Sequence, residues 1–224
     1  MSLSQADLKT REPEQCLVLS PISWGQYESV LETFPEQAGL RITFIEGRLT
    51  LLPPSRRHDW FEKALGRLVE AVAEGAGIEC EISGHATYRR EGLGAGVEGD
   101  RTYYFGANAE LMRGPVNVDL TNQPPPDLAI EVEATHRADD SVAAWGRIGA
   151  PEVWRFDIDR WALSFGKIRA DGTYEQVSRS VHLLGLEPDD VLSQLKLAEQ
   201  LGWSRWVAQL GGWARTPVLP KRGG

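Results

Sequence analysis

Apolar residues recur along this chain with two periods, and the change from one to the other marks its elements. Trp24, Tyr27, Val30, Leu31 and Phe34 stand at helical spacing behind Ser20 and Ser23, which predicts a short capped helix over residues 23–34. Residues 41–52 (RITFIEGRLTLL) read as two β runs folded about Glu46-Gly47, and Pro53-Pro54 ends the second run. Over residues 58–74 the helical period returns, with Phe61, Leu65, Leu68, Val69 and Val72 on one stripe and Gly75 expected to close the helix. Alternation at residues 78–82 (IECEI) and 86–89 predicts strands, with Cys80, Ile78 and Ile82 on a core face. Residues 92–99 (GLGAGVEG) look too rich in glycine for the interior of an element, and are expected as a loop that delivers Asp100 to the strand Arg101–Phe105.

A polar excursion containing residues 116–120 follows, and three prolines then stiffen the approach to residues 127–132 (DLAIEV), the most hydrophobic strand pattern in the chain. Residues 141–148 predict a helix that stops at Gly149, and residues 152–157 (EVWRFD) resume β structure. Residues 159–177 predict a hairpin around Asp171-Gly172. Residues 188–213 are helical by period, through Val191, Leu192, Leu195, Leu197, Ala198, Leu201, Trp206 and Leu210. The sum is an α+β fold with a mixed, largely antiparallel sheet flanked by helices. Residues 1–19 are polar and without period, so a loose N-terminal segment is expected there, followed by one domain over 20–187 and a C-terminal helical extension and tail over 188–224.

Composition adds limits. With 224 residues, 42% of them hydrophobic, the chain can bury a real core. A net charge of -8 means that the molecule as a whole repels phosphate backbones, so any contact with nucleic acid needs a local basic surface or a metal ion. Two cysteines, Cys16 and Cys80, make neither a disulfide framework nor a four-ligand zinc site, and the expected compartment is a reducing cytoplasm. No run approaches the roughly 20 apolar residues that cross a bilayer, so no membrane partner is expected.

The chemistry concentrates in DLAIEVE. In an extended strand Leu128, Ile130 and Val132 face one way, while Asp127, Ala129, Glu131 and Glu133 face the other. Three carboxylates on one face are either a solvated sheet surface or a place where a positive partner sits. Asp100, at the mouth of the preceding strand, can add a ligand from a second strand, giving the oxygen donors that Mg²⁺ or Mn²⁺ prefers.

Several separated segments, in order, resemble one family: GVEGD at 96–100, Tyr103-Tyr104-Phe105, Val118-Asp119-Leu120, PPPDLAIEVE at 124–133 and GAPEVWRFD at 149–157. Upstream, RITFIEGRLTLLPPSRRHDW at 41–60 resembles the same family's hairpin, its proline stop and the histidine at the head of its first core helix. That family is a large bacterial group of restriction-endonuclease-like proteins, long known as a domain of unknown function, within the PD-(D/E)XK nuclease superfamily. The likeness covers about residues 24–180. It implies a restriction-endonuclease-like core, Mg²⁺ or Mn²⁺ as cofactor and DNA as substrate. Many nucleases of this superfamily cut as dimers, so a homodimer is within the expectation.

By that resemblance Asp100 takes the position of the superfamily's strand aspartate and Glu131 that of the acid on the following strand, and these two are the implied metal ligands. Asp127 matches another recurrent family acid, at a place where a turn residue after prolines reads equally well. His58 matches the histidine at the helix head, where a residue that simply caps or packs the helix start is the alternative reading. The implied catalytic set is therefore Asp100, Asp127, Glu131 and His58.

The chain also departs from the pattern. Glu133 stands where the signature has lysine, and residues 135–148, where much of the family carries that lysine instead, offer only Arg137 and Arg147. Lys63 on the long helix reads either as a migrant replacement or, more commonly for such a position, as a solvent-facing helix lysine. Gly99 replaces a proline before Asp100, and Thr43 stands where the family's hairpin often has glutamate. Arg56, Arg57, Arg89 and Arg90 read either as a phosphate-facing rim or as ordinary surface arginines. Two functions follow, from different classes. One is a divalent-metal-dependent endonuclease hydrolysing DNA phosphodiester bonds. The other is a catalytically inactive member of the fold acting as a binding or interaction module, which the missing lysine and the acidic net charge favour. A hydrolase of other phosphoesters is a third, remoter reading.

Overall fold

A computed structural model describes residues 16–34, 39–83, 86–114, 118–134, 138–183 and 185–215. His85, His136, Arg137, Val116 and the terminal segments 1–15 and 216–224 lie outside the described residues. In chain order the elements begin with β1 (Leu17–Leu19), α1 (Trp24–Thr33), β2 (Arg41–Ile45), β3 (Arg48–Leu52), α2 (Arg56–Ala76), β4 (Cys80–Ile82) and β5 (Thr87–Arg90). They continue with β6 (Ala95–Glu98), β7 (Arg101–Phe105), α3 (Ala107–Leu111), β8 (Leu128–Glu133), α4 (Asp139–Ile148), β9 (Glu152–Asp157), β10 (Ala162–Ile168), β11 (Tyr174–Val177), α5 (Pro188–Leu201) and α6 (Trp203–Arg215).

Among the described residues the strands form two sheets, not the single sheet the pattern suggested. The first runs β1-β3-β2-β6-β5 and the second β11-β10-β9-β8-β7-β4. All described pairs are antiparallel except β8 with β9, which run parallel with Glu131 opposite Arg155 and Leu128 opposite Glu152. The chain passes from one sheet to the other at Gly99-Asp100, between β6 and β7.

Local chemistry explains most of the boundaries. Ser23 caps α1 in a reciprocal pair with Gln26, and Ser55 caps α2 by accepting from the His58 amide. The β2–β3 turn has positive φ at both Glu46 (47°) and Gly47 (80°), the geometry of a tight two-residue hairpin. The α2 stripe of Phe61, Leu65, Leu68 and Val69 packs with Leu128, Ile130 and Val132 of β8 and with Phe156 and Phe165, and α5 and α6 add Val191, Leu195, Trp206 and Leu210 to the same core. Ala129, on the opposite face of β8, belongs to a second core with Ala144 and Trp145 of α4. β8 is therefore covered on both sides, and Asp127, Glu131 and Glu133 are only 5–6% exposed, which removes the solvated-surface reading of its acidic face.

Five expectations change. Gly75 does not close α2: it lies inside the helix, where the Ala214 carbonyl oxygen passes 2.6 Å from where a Cβ would stand, and Gly77 makes the left-handed cap instead. Residues 95–98 are a buried inner strand, not a loop, and Gly96 is needed there because the Tyr27 ring lies against it. Leu17–Leu19, placed in the loose N-terminal segment, pair with β3. The C-terminal helical run breaks at Gly202 (φ 78°) into two helices that pack on each other and on α2. β4 is an edge strand, so Ile82 is 45% exposed and Cys80 only half-buried. No described helix is long and apolar enough to cross a membrane.

Candidate metal centre

Where the two sheets meet, a pocket of about 50 Å³ opens between them, with room for an ion and a few waters. Arg41 and Thr43 of β2 and Thr50 and Leu52 of β3 form one wall, and Glu131 and Val132 of β8 form another. His58 enters from the head of α2, Asp140 and Ser141 from the start of α4, and Asp100 from the inter-sheet crossing. Strand alternation explains the division of labour on β2: Ile42 and Phe44 enter the core beneath α1, which leaves Arg41 and Thr43 for the pocket.

Asp100 is held from every side. Its Oδ1 accepts from Nε of Arg41 at 3.0 Å, and its Oδ2 accepts from the Val132 amide at 2.8 Å. Nε2 of His58 stands 3.1 Å from the same Oδ2. Burial alone would raise its pKa, but His58, Arg41 and the Val132 amide outweigh burial and hold the carboxyl down at about 2. Glu131 is in the opposite condition. Burial pushes its pKa well above the ordinary carboxylate value and the charge of Asp100 pushes it further, while the indole of Trp145, donating to Oε1 at 2.6 Å, only partly compensates.

Four residues that the sequence reading did not single out complete the cluster. Glu62, one turn beyond His58 on α2, is 1% exposed; Nη2 of Arg41 donates to its Oε2 at 3.0 Å and Nε of Arg101 stands 2.8 Å from its Oε1. Ligand atoms of His58, Glu62 and Asp100 all lie within 4.8 Å of one another, a compact set of one nitrogen and two carboxylate oxygens. The signal for Glu62 was present in its i,i+4 spacing from His58, which continues the buried stripe of α2 with polar residues. Trp145, the fourth, is fully buried, and Cζ2 of its ring lies 2.6 Å from where a Cβ at position 99 would stand, so the indole occupies the space that glycine leaves beside Asp100.

The sequence-derived candidates thus separate. Asp100, Glu131 and His58 line one pocket. Asp127 is not among its lining residues: its two oxygens accept from the Phe105 amide at 2.8 Å and from Nδ2 of Asn108 at 2.9 Å, bracing the turn into α3. Glu133, at the signature lysine position, accepts from Nε of Arg155 at 2.8 Å. Among the described residues no lysine lines the pocket, and Lys63 is solvent-exposed. Thr43 and Ser141 stand with their hydroxyl oxygens 3.1 Å apart at the pocket wall. Of the surface arginines, Arg57 pairs with Asp159 and Arg89 with Glu28, and none of Arg56, Arg57, Arg89 and Arg90 lines the pocket. His182 stacks on Phe105, also outside it.

Comparison with known proteins bears on this arrangement. A sequence model of the Uma2 family, described as "Putative restriction endonuclease", matches residues 24–201. No curated protein matches the chain. Among solved structures, the crystal structure of "a putative nuclease belonging to DUF820" from Anabaena variabilis shares the fold with a TM-score of 0.54 at 14% identity, over 75% of this chain and 97% of that one.

Proposed function

Since the chain belongs to the Uma2 family of restriction-endonuclease-like proteins, we propose that it is a divalent-metal-dependent endonuclease that hydrolyses DNA phosphodiester bonds at the pocket between its two sheets. One observation carries this reading: Asp100, at the crossing between the sheets, lines one pocket with Glu131 of β8 and His58 of α2, and forms with His58 and Glu62 a buried set whose ligand atoms lie within 4.8 Å of one another. Asp100 and Glu131 are the proposed ligands of Mg²⁺ or Mn²⁺, and Glu62 and His58 have ligand atoms within 4.8 Å of one on Asp100. The donor set fits a hard dication, and its imidazole nitrogen suits Mn²⁺ better than Mg²⁺. When bound, such an ion polarises a phosphoryl oxygen and lowers the pKa of a water.

The chain's own groups do the remaining work. Trp145 fixes the rotamer of Glu131 through its indole N–H. The Val132 amide and His58 keep Asp100 ionised and aimed. Arg41, permanently charged, is the pocket's nearest counterpart to the absent lysine; it neutralises phosphate but does not deprotonate water. The proposed test is cleavage of supercoiled, linear and single-stranded DNA with Mg²⁺ or Mn²⁺. Glu131→Ala is expected to abolish cleavage while leaving the cooperative melt intact. Absence of cleavage of any of these substrates by the wild type overturns the proposal.

A second reading, a fold-retaining but inactive binding module, is favoured by a separate observation: Glu133 pairs with Arg155, and among the described residues no lysine lines the pocket. It predicts no heat of Mn²⁺ binding in calorimetry, and metal-dependent turnover excludes it.

A further inference from the structure

Arg41 occupies an unusual position for a surface-sheet arginine. Its side chain is 11% exposed, its Nε donates to Oδ1 of Asp100 at 3.0 Å and its Nη2 donates to Oε2 of Glu62 at 3.0 Å. These are the two carboxylates of the compact His58–Glu62–Asp100 set. A guanidinium that forks between two buried acids satisfies them much as a bound cation does. Arginine stays protonated in proteins, so it cannot make room by losing its charge.

We propose that Arg41 is a resident cation that closes this site and competes directly with the divalent ion for Asp100 and Glu62. The proposal rests on the reading of the pocket as a metal site and adds a built-in occupant to it. Occupation by a metal requires the guanidinium to release both carboxylates. Two consequences follow for the chain itself. Metal affinity is set below what the ligands alone would give, and the released guanidinium is the cation left in the pocket to meet a phosphate. Arg101 provides the internal contrast: it carries the same charge and reaches Glu62 at 2.8 Å, but no hydrogen bond or ion pair joins it to Asp100 among the described residues.

The test is a Mn²⁺ titration of the full chain by calorimetry, checked by electron paramagnetic resonance of the free ion, with thermal melts in the presence and absence of Mn²⁺. Arg41→Met is expected to bind Mn²⁺ at least about tenfold more tightly than the wild type, because two charge-assisted hydrogen bonds no longer have to be broken. It is also expected to melt lower without metal and to gain more from Mn²⁺. Arg101→Met releases one oxygen of Glu62 but none of Asp100, and is expected to tighten binding by a smaller factor than Arg41→Met, about threefold. Equal tightening by the two variants reduces the effect to bulk charge and overturns the proposal, as does unchanged or weaker binding by Arg41→Met. If Arg41→Met does not fold, Arg41→Lys keeps the charge but not the fork, and is expected to tighten binding by a smaller factor; no change there overturns the proposal. Glu131→Ala separates the two levels. Mn²⁺ binding that this variant abolishes, with Arg41→Met no tighter, leaves the metal site standing and removes Arg41 from it. Binding by neither the wild type nor Arg41→Met removes both.

Discussion

Two glutamates on neighbouring strands make a natural experiment. Glu131 on β8 and Glu152 on β9 are 5% and 0% exposed, and each accepts an indole N–H at 2.6 Å through Oε1, from Trp145 and Trp154 respectively. They differ at the second oxygen. Oε2 of Glu152 accepts from the Ser180 hydroxyl at 3.2 Å and from the amides of Val181 and His182 at 3.0 and 3.2 Å, so the carboxylate ties the loop before α5 to the sheet. Glu131 has no further hydrogen-bond donor among the described residues, and it shares its pocket with Asp100. Burial raises the pKa of both, but hydrogen bonds oppose it at Glu152, whereas a second negative charge adds to it at Glu131. A buried carboxylate saturated with donors is a fastening. One that faces another carboxylate is stabilised by taking up a proton or a cation.

Stability should separate the pair most sharply. Glu152→Ala strands three donors besides the indole, and is expected to cost about 3–5 kcal/mol in urea denaturation. Glu131→Ala strands one donor and relieves a repulsion, with an expected cost under about 2 kcal/mol. Similar costs for the two would break the comparison. The indoles should then divide by function. Trp145→Phe removes the one donor to Glu131 and is expected to weaken Mn²⁺ binding by about tenfold, on the order of 1.4 kcal/mol. Trp154→Phe leaves Glu152 its other donors, and metal affinity should not move.

The smallest effect is in pH dependence. A carboxyl whose pKa is raised on folding contributes stability that is fully present below the ordinary carboxylate value and is lost as pH rises through the raised one. The metal-free wild type should therefore lose melting temperature relative to Glu131→Gln as pH increases from the acid side. Asp100 has the opposite sign. Its pKa is lowered to about 2, so its contribution is present above the ordinary carboxylate value and disappears as pH falls toward about 2. A wild-type and Glu131→Gln difference that narrows with rising pH would contradict the assignment.

The strand that carries Glu131 was legible in the sequence because its alternation and its proline approach are both strong local signals. Asp100 was legible through ordered motifs around it. The division into two sheets was not, since a strand's alternation is the same whichever sheet it joins. β6 was hidden because its one glycine, Gly96, serves the Tyr27 ring rather than a turn, and no local pattern reports a contact with residue 27 from residue 96. Arg41 and Glu62 were passed over for a related reason. An arginine at a strand's first position and a glutamate on a helix are ordinarily solvated, and only the meeting of β2, α2 and the crossing at Asp100 turns them inward.

The contact between Gly99 and Trp145 constrains the history open to this chain. With the ring of Trp145 2.6 Å from where a Cβ at position 99 would stand, any side chain at 99, proline included, and the indole at 145 exclude each other. Only one order of substitution at the two positions is therefore open. A lineage arriving at this pair must accept glycine before tryptophan, and one leaving it must give up tryptophan first, so a library that varies position 99 alone should return glycine.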